Sequence, residues 1–194
     1  NLIAFKKGTK SNRKFLLAAH MDEVGFMVTN IEDDGTLSFG PVGGIDPRVA
    51  VGKHVRIKGQ LAGVIGYKAI HLQKKDELLA SPKFENLRIN IGANSKEEAS
   101  RKVEIGDYVT FATDFRCENA RATGKALDDR AGCAALMEIL EKGQRYEDDL
   151  YFAFLVQEET GLRGSAVLFE QLCPDLALVI EGTTAGDDPG LPEH

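Results

Sequence analysis

Residues 150–156, LYFAFLV, constrain the fold more than any other stretch of this chain. A run this apolar and this short is expected to be buried on both faces, as in a strand of a mostly parallel sheet. It stops at Gln157 and two adjacent carboxylates, Glu158 and Glu159. A glycine, Gly161, and a helix-like pattern, GLRGSAVLFEQL, follow at once. Like charges side by side at the mouth of a dry strand repel and raise each other's pKa. Something positive has to sit nearby.

The neighbouring segments repeat the same grammar. KFLLAAH (14–20) is a second short apolar run, ending in His20. DRAGCAALMEILEK (129–142) places Cys133, Leu136, Met137 and Leu140 at helical spacing, so one helix face is expected to pack on a sheet. LALVIEG (176–182) is a further strand. Strand, helix, strand, helix, strand predicts an α/β layer with a mostly parallel central sheet and flanking helices.

Between these parts the pattern is β-rich. EVGFMVTNIEDDGTLSF (23–39) reads as a hairpin around Asp33-Asp34-Gly35, and residues 54–69 alternate apolar with polar or small residues. A short helix is expected over 95–103, with Ser95 as N-cap and Glu98 completing a capping box. Residues 25–118 therefore read as a small β-barrel inserted in an α/β domain made of 1–24 and 119–194.

The totals exclude some function classes. The chain has 194 residues, 30 acidic and 24 basic, for a net charge of -6. That balance disfavours nonspecific nucleic-acid binding. No apolar run approaches the length of a membrane span, so no membrane partner is expected. Three widely spaced cysteines, Cys117, Cys133 and Cys173, read as free thiols in a reducing compartment, which points to the cytoplasm. The opening without methionine, in a strand-like run, and the close at PGLPEH lead us to expect a piece of a longer protein.

Several polar groups fall at or just beyond strand ends, where ligand sites form in open α/β sheets. His20 and Asp22 follow the first apolar run, Asp128 and Asp129 precede the Ala-rich helix, Glu158 and Glu159 follow the second run, and Glu181 follows the last strand. Each has a bland reading. The histidine can bond to backbone, the Asp-Asp pair can cap a helix, and the Glu-Glu pair can be a solvated strand end. Taken together, one histidine with several carboxylates is a donor set for divalent zinc, cobalt or manganese. Asp22 is placed to orient the imidazole. An excess of carboxylates suggests two ions, with one residue such as Asp128 between them. Strand side chains alternate in direction. Glu158 is therefore read as a general base and Glu159 as a metal ligand. His54 and His71 are read as surface or core residues of the β-rich segment.

The motifs AAHMDEVGFMV, GKALDDRAGCAALMEIL, VQEETGLRGS and VIEGTTAGDDPG, in that order, resemble the glutamyl aminopeptidase and tetrahedral aminopeptidase family of cocatalytic metallopeptidases. The resemblance implies a phosphorylase/hydrolase-like metallopeptidase fold with an inserted β-barrel dimerisation domain. It also implies two divalent metal ions, zinc or cobalt, a peptide substrate, and dimers that assemble into a dodecamer. The reaction implied is hydrolysis of the N-terminal peptide bond through a metal-bridging water. In this numbering His20 resembles a ligand of one metal, Asp22 its orienting acid, Asp128 the bridging carboxylate, Glu158 the general base, and Glu159 a ligand of the other metal. Glu181 stands where the family commonly has aspartate. The family's last histidine ligand lies downstream of the AGDDPG stretch, and His194 comes too early to be that residue. Two other readings stand beside this one. They are a glycoside hydrolase, which needs two carboxylates, and a noncatalytic assembly or binding protein.

Overall fold

The structure is a computed structural model that describes residues 1–10 and 13–183. The AGDDPG stretch and His194 lie outside the described residues. In chain order the first elements are β1 (Leu2–Lys6), β2 (Lys14–His20), β3 (Gly25–Ile31), β4 (Leu37–Val42) and the short helix α1 (Pro47–Ala50). There follow β5 (His54–Ile57), β6 (Leu61–Gly66), α2 (Lys75–Leu79), β7 (Arg88–Asn90), α3 (Lys96–Ser100), β8 (Tyr108–Phe111), β9 (Arg116–Glu118) and β10 (Arg121–Thr123). The last are α4 (Leu127–Glu141), β11 (Asp149–Leu155), α5 (Arg163–Leu172) and β12 (Leu176–Val179).

The chain divides into two compact units. One joins Asn1–Glu23 to the chain from Ala126 onward, and the other is Val24–Lys125. The second unit runs to Lys125 rather than to 118, because the β9–β10 ladder continues its β structure as far as Thr123.

In the first unit the strands lie in the order β1-β11-β2-β12. β11 and β12 both run parallel to β2, and β1 is antiparallel to β11. The mixed α/β sheet is thus mostly parallel. Its two central strands are apolar at nearly every position because both faces are covered. Leu17, Ala19, Leu150, Phe152 and Phe154 pack with Cys133 and Leu136 of α4. Leu16, Ala18, Ala153 and Leu155 pack with Leu168 of α5 on a separate cluster. Met137, expected on the packing face of α4, is instead 52 % exposed and lines an apolar groove with Leu2, Cys133 and Phe154. The helical period carries it past the edge of the buried stripe.

The second unit is a closed barrel in the order β3-β4-β7-β6-β5-β8. Its strands show the period of two that a one-sided core demands. Val55 and Ile57 are buried while His54 and Arg56 point outward. Gly35, at φ +83°, closes the β3–β4 turn by donating its N–H to the Glu32 carbonyl at 3.0 Å. At α3 only half of the expected capping box forms. Ser95 Oγ accepts the Glu98 N–H, but the Glu98 carboxylate accepts from Asn94 N–H at 3.0 Å. Phe26 is the hub of the barrel interior, with ring centroids of Phe39, Phe111 and Phe84 at 5.0, 5.2 and 5.9 Å. Phe26→Ala is expected to destabilise the protein by about 3–5 kcal/mol. Denaturant unfolding checks this, and a loss below about 1 kcal/mol would contradict the packing described.

Candidate metal centre

The centre starts from the end of β2. His20 is 2 % exposed and is paired with Leu155 of β11. Its Nδ1 lies 3.2 Å from the backbone carbonyl of Asp22, so a proton on Nδ1 is donated there. That tautomer leaves the Nε2 lone pair facing outward, toward the carboxylates. The Asp22 carboxylate stands slightly farther off, at 3.5 Å from Nδ1. It accepts the backbone N–H groups of Glu158 at 3.2 Å and Glu159 at 3.1 Å. The sequence reading gave Asp22 the imidazole alone. The structure has its carbonyl meet the ring and its carboxylate hold the turn after β11.

That turn is tight. The N–H groups of Gly161 and Leu162 both donate to the Glu158 carbonyl at 2.9 Å. Gly161 has φ +107°, which glycine adopts without strain. Gly164, in the first turn of α5, leaves no room either. A Cβ there would stand 2.2 Å from the Val156 carbonyl oxygen and 2.5 Å from Asn1 Oδ1. Gly164→Ala is expected to cost about 3 kcal/mol, at the upper end for overpacking. Thermal unfolding checks this, and an unchanged midpoint would contradict the close approach.

Asp128 and Asp129 stand at the start of α4, with non-helical backbone angles and a cis peptide between them. Asp128 Oδ1 lies 3.1 Å from His20 Nε2. Asp129 is buried and, among the described residues, accepts from the backbone N–H groups of His20 and Gly132, each at 3.2 Å. Arg130 next to it donates to the Met21 carbonyl at 3.2 Å and stands 3.5 Å from Glu23, bracing the segment that carries Asp22. Glu181, just past β12, reaches 3.5 Å from His20 Nε2. Glu158 reaches 3.8 Å from the same nitrogen.

One imidazole therefore lies within 4 Å of four carboxylates: those of Asp22, Asp128, Glu158 and Glu181. Among them, one donor atom each of His20, Asp128 and Glu181 lies within 4.8 Å of the others. Imidazole with carboxylates is a suitable donor set for a divalent transition metal, so the residues fit such an ion. The Glu159 carboxylate stands outside this trio. Burial raises its pKa, and the Asp128 charge raises it further. Glu181 is likewise pushed up, by burial and then by its hydrogen bond with Asp128. Burial also raises Asp129. For His20 burial pulls downward, but the bond to Asp128 and the charges of Glu181, Glu158 and Asp22 outweigh it and raise the imidazole. All these groups stand as acids crowded around one base, a state that a bound cation relieves.

His54 and His71 are both exposed and stand in the barrel unit. The sequence reading missed the buried role of Asp129 and the contact of Cys133, whose Sγ donates to the His20 carbonyl at 3.1 Å. The only sequence signal was Gly132, three residues after Asp129, where a Cβ would meet the carboxylate at 2.5 Å.

The whole chain, residues 1–194, matches the family described as M42 glutamyl aminopeptidase. The chain belongs to the M42 family. A putative aminopeptidase of Acetivibrio thermocellus is 40% identical over 189 residues, covering 97% of this M42 chain and 55% of the relative. A TET aminopeptidase structure from a marine sediment Thaumarchaeota archaeon is 37% identical with a TM-score of 0.92, covering 98% of this chain and 55% of that one. A Thermotoga maritima structure described as an endoglucanase is 52% identical with a TM-score of 0.83, covering 98% and 56%. This M42 chain thus spans about half the length of the curated relatives it matches.

Proposed function

We propose that the complete protein is a metal-dependent aminopeptidase with two divalent ions, zinc or cobalt. The observation that carries this reading is the convergence of His20, Asp128 and Glu181 within 4.8 Å in an M42 chain. His20, Asp128 and Glu181 would hold one ion. Asp128 and Glu159 would hold the other, together with a histidine from the rest of the complete protein. When bound, such ions polarise the scissile carbonyl and lower the pKa of water.

This chain's own residues supply the proton movements and the aim. Glu158 takes a proton from the attacking water and delivers it to the leaving amine. Its carboxylate can do this because its backbone is fixed by Asp22 while its side chain reaches the rim of the cluster. Asp22 also holds the Glu159 amide, so one residue sets the direction of both glutamates. His20 keeps its Nε2 toward the cluster through its Nδ1 contact.

We place the barrel unit, expected over 25–118, at a dimer interface, and expect the dimers to build a dodecamer. Light scattering on the complete protein tests this, and a monomer would contradict it. Among the described residues no helix is long and apolar enough to cross a membrane. Cys117, Cys133 and Cys173 are all free thiols, which supports the cytoplasmic assignment. Metal analysis of the complete protein tests the metal reading. About two zinc or cobalt ions per chain are expected, and none would favour a noncatalytic binding role. The glycoside hydrolase reading draws on its need for two carboxylates and on the endoglucanase descriptions of the Thermotoga maritima structure and of a second solved structure, described as a putative peptidase/endoglucanase. Its test is in the Discussion.

A further inference from the structure

The proposed mechanism leaves one buried carboxylate unused. Asp129 is 1 % exposed, lies outside the trio of donor atoms, and spends both oxygens on backbone. Oδ2 accepts the His20 N–H and Oδ1 accepts the Gly132 N–H, both at 3.2 Å. One turn along α4, Cys133 Sγ donates to the His20 carbonyl at 3.1 Å. The N–H and the C=O of His20 are thus both taken by side chains from the start of α4.

The sheet explains why those two groups need partners. On one side His20 is in register with Leu155 of β11. On the other side the β12 ladder ends with Val179 opposite Ala18, and its last bond runs from the Ile180 N–H to the Ala18 carbonyl. Past that point, among the described residues, β2 has no strand partner on this edge. Buried backbone groups left unpaired there would be costly.

We propose that Asp129 and Cys133 form a clasp that sets the position of His20 relative to Asp128, which makes Asp129 a positioning residue of the metal site. The inference rests on the metal reading above. Asp128 meets the imidazole at Nε2, and its neighbour Asp129 grips the backbone of the same histidine. The main chain of His20 is thereby held by buried side chains of the same segment that carries Asp128, so the imidazole and its carboxylate partner share one anchor. Metal sites need ligand geometry held to about 0.5 Å. Gly132 leaves the room that this needs, since a Cβ there would stand 2.5 Å from Asp129 Oδ1. A helix cap alone would account for Oδ1 and Gly132. It would not account for Oδ2 or for Cys133.

The test compares Asp129→Asn and Cys133→Ala in the complete protein. Metal-free protein is titrated with cobalt(II), and both the affinity and the visible absorption band are read beside thermal unfolding. Asparagine caps helices as well as aspartate does, but its amide cannot accept at both positions. Asp129→Asn is therefore expected to weaken cobalt binding about 10–100-fold, as for other partners that orient ligands. The band should shift, and the melting midpoint should stay within a few degrees of wild type. Cys133→Ala keeps the cap and the charge, and is expected to weaken binding by roughly a few-fold, because a thiol is a weak donor. If Asp129→Asn does not fold, Cys133→Ala decides. Wild-type affinity and spectrum in every variant that folds would overturn the clasp. A wild-type protein that binds no cobalt would overturn the metal reading itself, and the clasp with it.

Discussion

Glu158→Gln in the complete protein is expected to keep its bound metal and to lose about two to four orders of magnitude in turnover, the usual worth of a positioned acid–base group. The glutamine fills the same space and leaves the backbone N–H of residue 158 free to bond Asp22 as before. It cannot accept a proton. Glu158 Oε2 is 3.8 Å from His20 Nε2 and outside the trio of donor atoms, so the substitution removes chemistry and spares the donor set. Steady-state kinetics with metal analysis of the same sample measure both halves. Near wild-type turnover would remove Glu158 from its role. Lost metal would make Glu158 a ligand instead.

His20→Ala is the opposite case. It removes the only imidazole of the donor trio and leaves Asp128 and Glu181 facing each other with no base between them. Metal affinity is expected to fall by more than about 100-fold, beyond the upper range for residues that merely orient ligands. Activity should fall with it. Equilibrium dialysis against zinc or cobalt measures the first effect. Wild-type affinity in this variant would mean that the ion sits elsewhere.

The two expectations separate because strand ends were readable in the chain and what surrounds them was not. Short apolar runs such as KFLLAAH and LYFAFLV mark strands buried on both faces, and both correspond to strands that stand side by side. Once they are adjacent, His20 and the Glu158–Glu159 pair must lie near one another. The barrel was legible through alternation, as in HVRI with its outward His54 and Arg56. Tertiary detail left no such trace. Nothing in the pattern of α4 separates Met137, which ends exposed, from Leu136, which ends buried. The partners of Asp129 depend on β12 stopping short of His20, a fact of strand lengths in space rather than of local pattern. Asp22 was legible as a partner of His20 two residues away. Its hold on the amides of Glu158 and Glu159 spans more than 130 residues of chain and needed the fold.

The central claim is that this cluster is the metal site of a peptidase. It is tested most directly by assaying the complete protein on a short peptide with a free amino terminus and on a cello-oligosaccharide, before EDTA treatment, after it, and after zinc or cobalt is restored. The account predicts release of the amino-terminal residue, its loss on chelation, its return with metal, and no action on the sugar. Sugar hydrolysis indifferent to EDTA, or peptide cleavage that survives complete metal removal, would contradict it.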